Sequence, residues 1–353
     1  MPREIGDSVV VITGASSGIG RATALAFARR GAAVIAAARR EQPLRELAHE
    51  CERISGRALA VPTDVTDESA VRNLARRAIE TFGRLDVWVN NAAVTLFGRL
   101  EETPYQSYRR VIETNLFGYV HGARAALPYF REQGSGVLIN VASVVGKMGQ
   151  PYTSAYVASK FGIVGLSECL RQEVTDAEDI HVCTVLPGST DTPLFQQAAN
   201  YTGRAVKPIP PVDDPDRVAE VIVRCAEQPE REVVVSGTGS RLILMHTLAP
   251  GWVERQIASK VEHEHFQEGP AVPTPGNLFE PMPHWARIRG GWQEPRGAAW
   301  GSMAAATGLM VLGFGLLAWW LRPGRTVRTG IEEPADRGRA VGQGAATGMQ
   351  IEV

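Results

Sequence analysis

Short apolar runs alternate with longer stretches of helical period through the first two-thirds of this chain. Val9, Val10, Val11 and Ile12 are apolar without interruption, as in a strand covered on both faces of a parallel sheet. Runs at 33–38, 58–61, 85–89, 137–141, 182–186 and 232–235 read the same way. Between them, 19–30, 44–54, 68–82, 105–131, 154–174 and 215–227 carry helical periodicity. This alternation predicts an α/β fold: a Rossmann-type, doubly wound, seven-stranded parallel sheet with helices on both faces. No fixed period recurs, which argues against a solenoid.

The pattern changes after residue 238, so the α/β domain is assigned to 1–238. A helical extension is expected over 239–268, broken at Pro250-Gly251. Residues 269–297 mix Pro, Gly and Trp without a period and read as an irregular linker. From 297 to 321 there is no charge. A single transmembrane helix is therefore expected at 298–321, because roughly 20 apolar residues cross a bilayer core. Trp300, Trp319 and Trp320 stand near its ends, where an indole suits the membrane interface. A helix buried in a larger fold is the alternative, although a domain complete by residue 237 leaves it little core. Residues 322–353, rich in Gly, Arg and Glu, read as a disordered tail.

Composition narrows the function classes. The 353 residues carry a net charge of −1, which argues against nucleic acid, a partner that calls for a basic surface. Cys51, Cys169, Cys183 and Cys225 lie far apart and read as reduced thiols, not metal ligands or disulfides. Glu262-His263-Glu264-His265 is set aside as a metal site, since such neighbours on a helix do not share a face. No metal is expected.

The first strand ends in Thr13-Gly14-Ala15-Ser16-Ser17-Gly18-Ile19-Gly20, and a helix follows at once. Glycines let the backbone turn tightly against a pyrophosphate, and the helix start offers free N–H groups and a positive dipole end. The second strand ends at Arg39 and Arg40. An NAD site would place a carboxylate there for the ribose hydroxyl, whereas a guanidinium pairs with a 2′-phosphate. The expected cofactor is NADP(H). Glu41 keeps NAD(H) as the lesser choice, and the two arginines read otherwise as solvated surface charges.

Tyr156 and Lys160 are four residues apart, on one face of a predicted helix. A phenol near pKa 10 is a poor base at neutral pH, and a nearby ammonium lowers that value. Tyr156 then exchanges a proton with a substrate oxygen. Ser143, just past the preceding strand, is placed to polarise that oxygen.

In these residues the chain resembles the short-chain dehydrogenase/reductase family, over about residues 7–237. The octapeptide from Thr13 fits its T-G-x-x-x-G-x-G turn, and Ser143 precedes Tyr156 by thirteen residues as is usual there. The resemblance implies that Asp64 and Val65 bind the adenine end. It implies that Asn91, Ala92 and Ala93 lie beneath the cofactor, with Ala93 replacing the usual glycine of N-N-A-G. Asn115 would hold a proton-relay water, and Pro187, Gly188, Thr190 and Thr192 would flank the nicotinamide carboxamide. Gly14, Ser16, Ser17, Gly18, Ile19, Gly20, Arg39, Arg40, Tyr156 and Lys160 complete the expected cofactor contacts.

The implied activity is hydride transfer between NADP(H) and a carbonyl or alcohol carbon. Tyr156 is the acid/base, Lys160 lowers its pKa and contacts the nicotinamide ribose, and Ser143 orients the substrate oxygen. Leu194, Phe195 and Tyr201 suggest an apolar substrate under a mobile lid, or simple self-packing. The partners expected are a small carbonyl or alcohol and, through the C-terminal helix, a lipid bilayer. Helix 105–131 serves a homodimer or homotetramer, or is buried internally. The localisation expected is a single-pass membrane protein with its catalytic domain in the cytoplasm. The rival reading is a catalytically silent NADP(H)-binding sensor or scaffold at a membrane; the intact Ser143, Tyr156 and Lys160 favour an enzyme.

Overall fold

Alternation within each strand decides which helices cover which side of the sheet. A computed structural model describes residues 4–293. In strand β1 (Val9–Thr13), Val10 and Ile12 pack on one face and Val9 and Val11 on the other, as the two-residue period of a strand requires. The same division holds in β2 (Ala33–Ala38), whose Val34 and Ala36 join the first cluster and whose Ile35 and Ala37 join the second. Both faces are buried, which is why the sequence shows uninterrupted apolar runs.

The remaining strands of the sheet are β3 (Ala58–Pro62), β4 (Val87–Asn90), β5 (Gly136–Val141), β6 (Ile180–Leu186) and β7 (Glu232–Val234). Their order is β3-β2-β1-β4-β5-β6-β7, and every pairing is parallel. On one face lie α1 (Gly18–Arg29), α2 (Glu41–Ser55) and α7 (Pro215–Glu227). On the other lie α3 (Glu68–Phe82), α5 (Gly118–Gln133) and α6 (Ser154–Glu173). The strand order reverses direction between β1 and β4. In such a sheet the crevice at that switch point, outside the carboxyl ends of the strands, is where ligands bind.

The helix expected at 105–131 is interrupted. It is α4 (Tyr105–Ile112), a π turn (Glu113–Phe117) and then α5. A π turn adds a residue to the helical repeat and re-aims the side chains around it. Asn115 sits within it, fully buried.

Beyond β7 come α8 (Gly237–Leu248) and α9 (Pro250–Glu264). The break falls at Pro250, which lacks the N–H that a continuing helix needs but suits a first turn. A strand at Phe266–Pro270 then pairs antiparallel with Arg204–Val206. Residues 271–293 carry little regular structure. They are nonetheless packed onto the domain: Leu278 is fully buried, and one compact unit runs through Gln293. Among the described residues no helix is long and apolar enough to cross a membrane. The transmembrane helix expected at 298–321 and the tail at 322–353 lie outside the described residues.

Candidate active site

The glycine turn is built around close backbone approaches. Gly14 has φ +69°, and a Cβ there would stand 2.7 Å from Ala92 Cα. A Cβ on Gly20 would stand 2.4 Å from the Gly14 carbonyl oxygen. Thr13 ties this turn to the loop after β4. Its hydroxyl donates to Val89 O (3.2 Å) and accepts from the N–H groups of Asn91 (3.0 Å) and Ala92 (3.2 Å). Asn91 Nδ2 returns a bond to Thr13 O (2.9 Å). Gly20→Ala is therefore expected to cost about 1–3 kcal/mol of stability, the usual penalty of overpacking, and to weaken dinucleotide binding. A thermal midpoint and a binding titration both equal to wild type would show that the turn tolerates the methyl group.

The sheet brings the catalytic candidates together. Ser143 follows β5, and Tyr156 and Lys160 lie at the start of α6. Lys160 is buried. Its Nζ donates to Val141 O (2.8 Å) and lies 5.4 Å from the ring centres of both Tyr119 and Tyr156. Ser143 Oγ donates to Pro187 O (3.3 Å) and accepts from Val145 N (3.3 Å).

Burial dominates the electrostatics of both Tyr156 and Lys160. It pushes the Tyr156 phenol up to about 12, with only the nearby Ser143 hydroxyl pulling the other way. Burial also drives the Lys160 amine down to about 7.

Asn115 braces the site from the π turn. Its Oδ1 accepts from Val94 N (2.9 Å), and its Nδ2 donates to Val94 O (3.0 Å) and Ser159 Oγ (3.1 Å). It thus fixes the loop after Ala93 against the helix that carries Lys160. Ala93 is half-buried in that loop, and Ile19 packs onto the first core cluster. Pro187 O accepts from Val144 N (2.9 Å), and Gly188 O accepts from the Thr190 hydroxyl (3.1 Å). Thr192 lies against Gly18, within 3.2 Å of where a Cβ would sit. Its segment therefore closes over the glycine turn.

The Asp64 carboxylate is already engaged by neighbouring donors. It accepts from the Thr66 N–H (3.0 Å) and hydroxyl (2.8 Å) and pairs with Arg110 (2.8 Å). Burial opposes its charge, but these partners hold its pKa below the ordinary carboxylate value. Val65 is buried, and its carbonyl bonds His121 (2.9 Å). Ser16 and Ser17 accept from Arg40. Neither Arg39 nor Arg40 is a solvated charge: both are partly buried and bonded to residues near 280. Arg110, which also donates to Leu278 O (3.0 Å), escaped the sequence reading. A lone arginine on a helix face gives no signal by itself.

The segment expected over the pocket packs on the protein. Phe195 meets Phe97, His265 and Trp292, with ring centres 6.3, 6.0 and 6.1 Å apart. The Tyr201 hydroxyl bonds Ser107 (2.8 Å), and Leu194 is half-buried. Glu262 pairs with Arg204 (2.6 Å) and Tyr152 (2.8 Å). Burial pushes His265 down to about 4. Among the described residues, no group of three or more His, Cys, Asp or Glu is arranged to hold a metal ion.

Residues 8–202 match the family model for short chain dehydrogenases. The chain belongs to the short-chain dehydrogenase family. An uncharacterized oxidoreductase of Bacillus subtilis, YxnA, is 36% identical over 274 residues, 77% of each chain. The zebrafish (Danio rerio) dehydrogenase/reductase SDR family member 7B is 34% identical over 275 residues, 75% of this chain and 89% of the relative. Among solved structures, an alcohol dehydrogenase from Thermococcus sibiricus, complexed with 5-hydroxy-NADP, superposes with a TM-score of 0.57 at 31% identity. It covers 64% of this chain and 95% of its own. As a short-chain dehydrogenase, the protein is an oxidoreductase acting on CH–OH or C=O groups.

Proposed function

We propose that the protein transfers a hydride between NADP(H) and a carbonyl or alcohol carbon, with Tyr156 exchanging the proton. The observation that carries this reading is the meeting of Ser143, Tyr156 and Lys160 beside the switch point of the sheet. There the buried Lys160 amine lies 5.4 Å from the centre of the phenol ring, and the Ser143 hydroxyl is the group that favours the phenolate. The glycine turn fits a dinucleotide, because Gly14 and Gly20 let the turn pack within 2.4–2.7 Å of where a Cβ would sit, and this close approach sets the start of α1 at the crevice, where a pyrophosphate would meet it. A bound nicotinamide dinucleotide supplies or accepts the hydride.

The chain's own residues do the rest. Gly14, Gly18, Ile19 and Gly20 would hold the pyrophosphate, with Ser16, Ser17, Arg39 and Arg40 at the 2′-phosphate. Asp64 and Val65 would sit at the adenine, Asn91, Ala92 and Ala93 beneath the cofactor, and Pro187, Gly188, Thr190 and Thr192 beside the nicotinamide. Ser143 orients the substrate oxygen, and Tyr156 gives it or takes from it a proton. Lys160 would lower the pKa of the phenol and contact the nicotinamide ribose. Asn115 positions Ser159 and the Val94 backbone around them. The aromatic cluster of Phe97, Phe195 and Trp292 supports an apolar substrate.

Two arginines ending β2, with no carboxylate at that point, support NADP(H) over NAD(H). The Thermococcus relative, solved with an NADP analogue, is consistent with this. Arg39→Ala is expected to raise the KM for NADPH by about 10- to 100-fold, the worth of a hydrogen bond to a charged group, and the KM for NADH far less. Equal changes for the two cofactors would remove Arg39 from the 2′-phosphate site. The overall activity is tested by following NADPH oxidation against a panel of aldehydes, ketones and quinones; no turnover of any would leave the silent-sensor reading.

The uncharged run at 297–321 supports a membrane tether. Carbonate washing of membranes from expressing cells is expected to leave the full chain in the pellet. Complete release into the wash would dismiss the tether.

A further inference from the structure

Residues 277–292 lie along the adenosine and phosphate half of the proposed dinucleotide site, and they hold it through backbone carbonyls. Arg39 donates to Asn277 O (2.6 Å), Leu278 O (3.2 Å) and Phe279 O (3.0 Å). Arg40 donates through Nη1 to Met282 O (3.2 Å) and His284 O (2.8 Å). At the other end the N–H of Gly18, the first residue of α1, donates to Arg287 O (3.0 Å).

A carbonyl oxygen and a phosphate oxygen compete for the same donors. A guanidinium has five N–H groups, and in Arg40 all are engaged. Nε and one Nη2 hydrogen serve Ser16 Oγ (3.3 and 3.0 Å), the other Nη2 hydrogen serves Ser17 Oγ (3.0 Å), and Nη1 serves the two carbonyls. The Gly18 N–H is one of the free groups at a helix start that would face a pyrophosphate, and Arg287 takes it.

The segment is pinned at its far end. Trp292 N–H donates to Asp191 Oδ1 (2.8 Å), and its indole N–H reaches Thr192 O (3.2 Å) and Gln196 Oε1 (3.3 Å). Between the two grips Trp285 has φ +71°, a left-handed backbone that costs a residue bearing a side chain.

We propose that 277–292 is an autoinhibitory strap whose carbonyls stand in for the phosphate oxygens of the dinucleotide. Binding then requires the strap to leave Arg40 and Gly18. The proposal rests on the reading of this crevice as a dinucleotide site. A strap that must open lowers the apparent affinity by the fraction of molecules already open, so loosening its anchor tightens binding.

The test uses the full chain. Hydrogen exchange is measured at the strap amides of Asn277, Leu278, Gly290 and Trp292, each of which is hydrogen-bonded, with and without NADPH or NADH. Dissociation constants are measured by calorimetry for wild type and Trp292→Ala. Expected are faster exchange at those amides on NADPH binding and a roughly tenfold tighter NADPH constant in the variant. Slower exchange with a weaker constant would make the segment a cover that closes over bound cofactor, and unchanged exchange would place it off the binding path; either overturns the proposal. If Trp292→Ala fails to fold, the wild-type exchange decides alone. Strap opening by NADH with no binding of NADPH would keep the strap and reject the 2′-phosphate reading. Failure of both dinucleotides to bind wild type and variant alike would remove the dinucleotide reading, and the strap with it.

Discussion

Tyr156→Phe lowers turnover by about 10²- to 10⁴-fold, the range for a positioned acid or base, and leaves NADPH binding nearly unchanged. The substitution removes one oxygen. The ring stays in the apolar cluster with Ala155, Val94 and Leu278, and Ser143 keeps its bonds to Pro187 O and Val145 N. No buried group is orphaned, so the variant should fold and bind as wild type does. The loss falls on proton exchange alone. Single-turnover kinetics and a fluorescence titration on the same preparation separate the two. A variant that turns over as fast as wild type would leave the phenol without a catalytic role, and one that neither folds nor binds would mean that its hydroxyl is structural.

Much of this arrangement was legible in the sequence, for identifiable reasons. Strands buried on both faces need apolar side chains at every position, so β1 and β2 stood out as unbroken runs. The glycine turn was legible because only glycine fits where Gly20 meets the Gly14 carbonyl at 2.4 Å from a would-be Cβ. The π turn at Asn115 was not, because one extra residue in a helix barely disturbs its apolar pattern. Arg39 and Arg40 announced a need for acceptors but could not say which. The acceptors that hold them here are carbonyls from residues 277–284, and a backbone carbonyl leaves no mark on residue type. The pairing of Tyr156 with Lys160 was read from their spacing. Their pKa directions were not, since both follow from burial that only the packed structure reveals.

Lys160→Met is expected to abolish turnover and at the same time stabilise the fold at neutral pH. The amine is fully enclosed, and burial lowers its pKa from 10.5 to about 7. Between those values the unfolded chain binds a proton that the folded chain largely refuses. Wild-type stability therefore rises with pH from about 7 towards 10.5, and below 7 the whole desolvation cost is carried. Methionine has similar reach and no charge to desolvate. The bond lost is the one to Val141 O, and that carbonyl still accepts from the Tyr119 hydroxyl (2.9 Å), so no acceptor is left bare. The melting temperature of the variant should exceed that of wild type by roughly 2–4 °C for each kcal/mol recovered. The gap should be widest at or below pH 7 and close near pH 10.5. Thermal melts across that range check the sign: a variant melting at or below wild type at pH 7 would mean that the amine is not held at a cost. A gain in stability with loss of turnover would instead mark Lys160 as a residue kept for chemistry against the preference of the core, as expected of an amine that favours the Tyr156 phenolate.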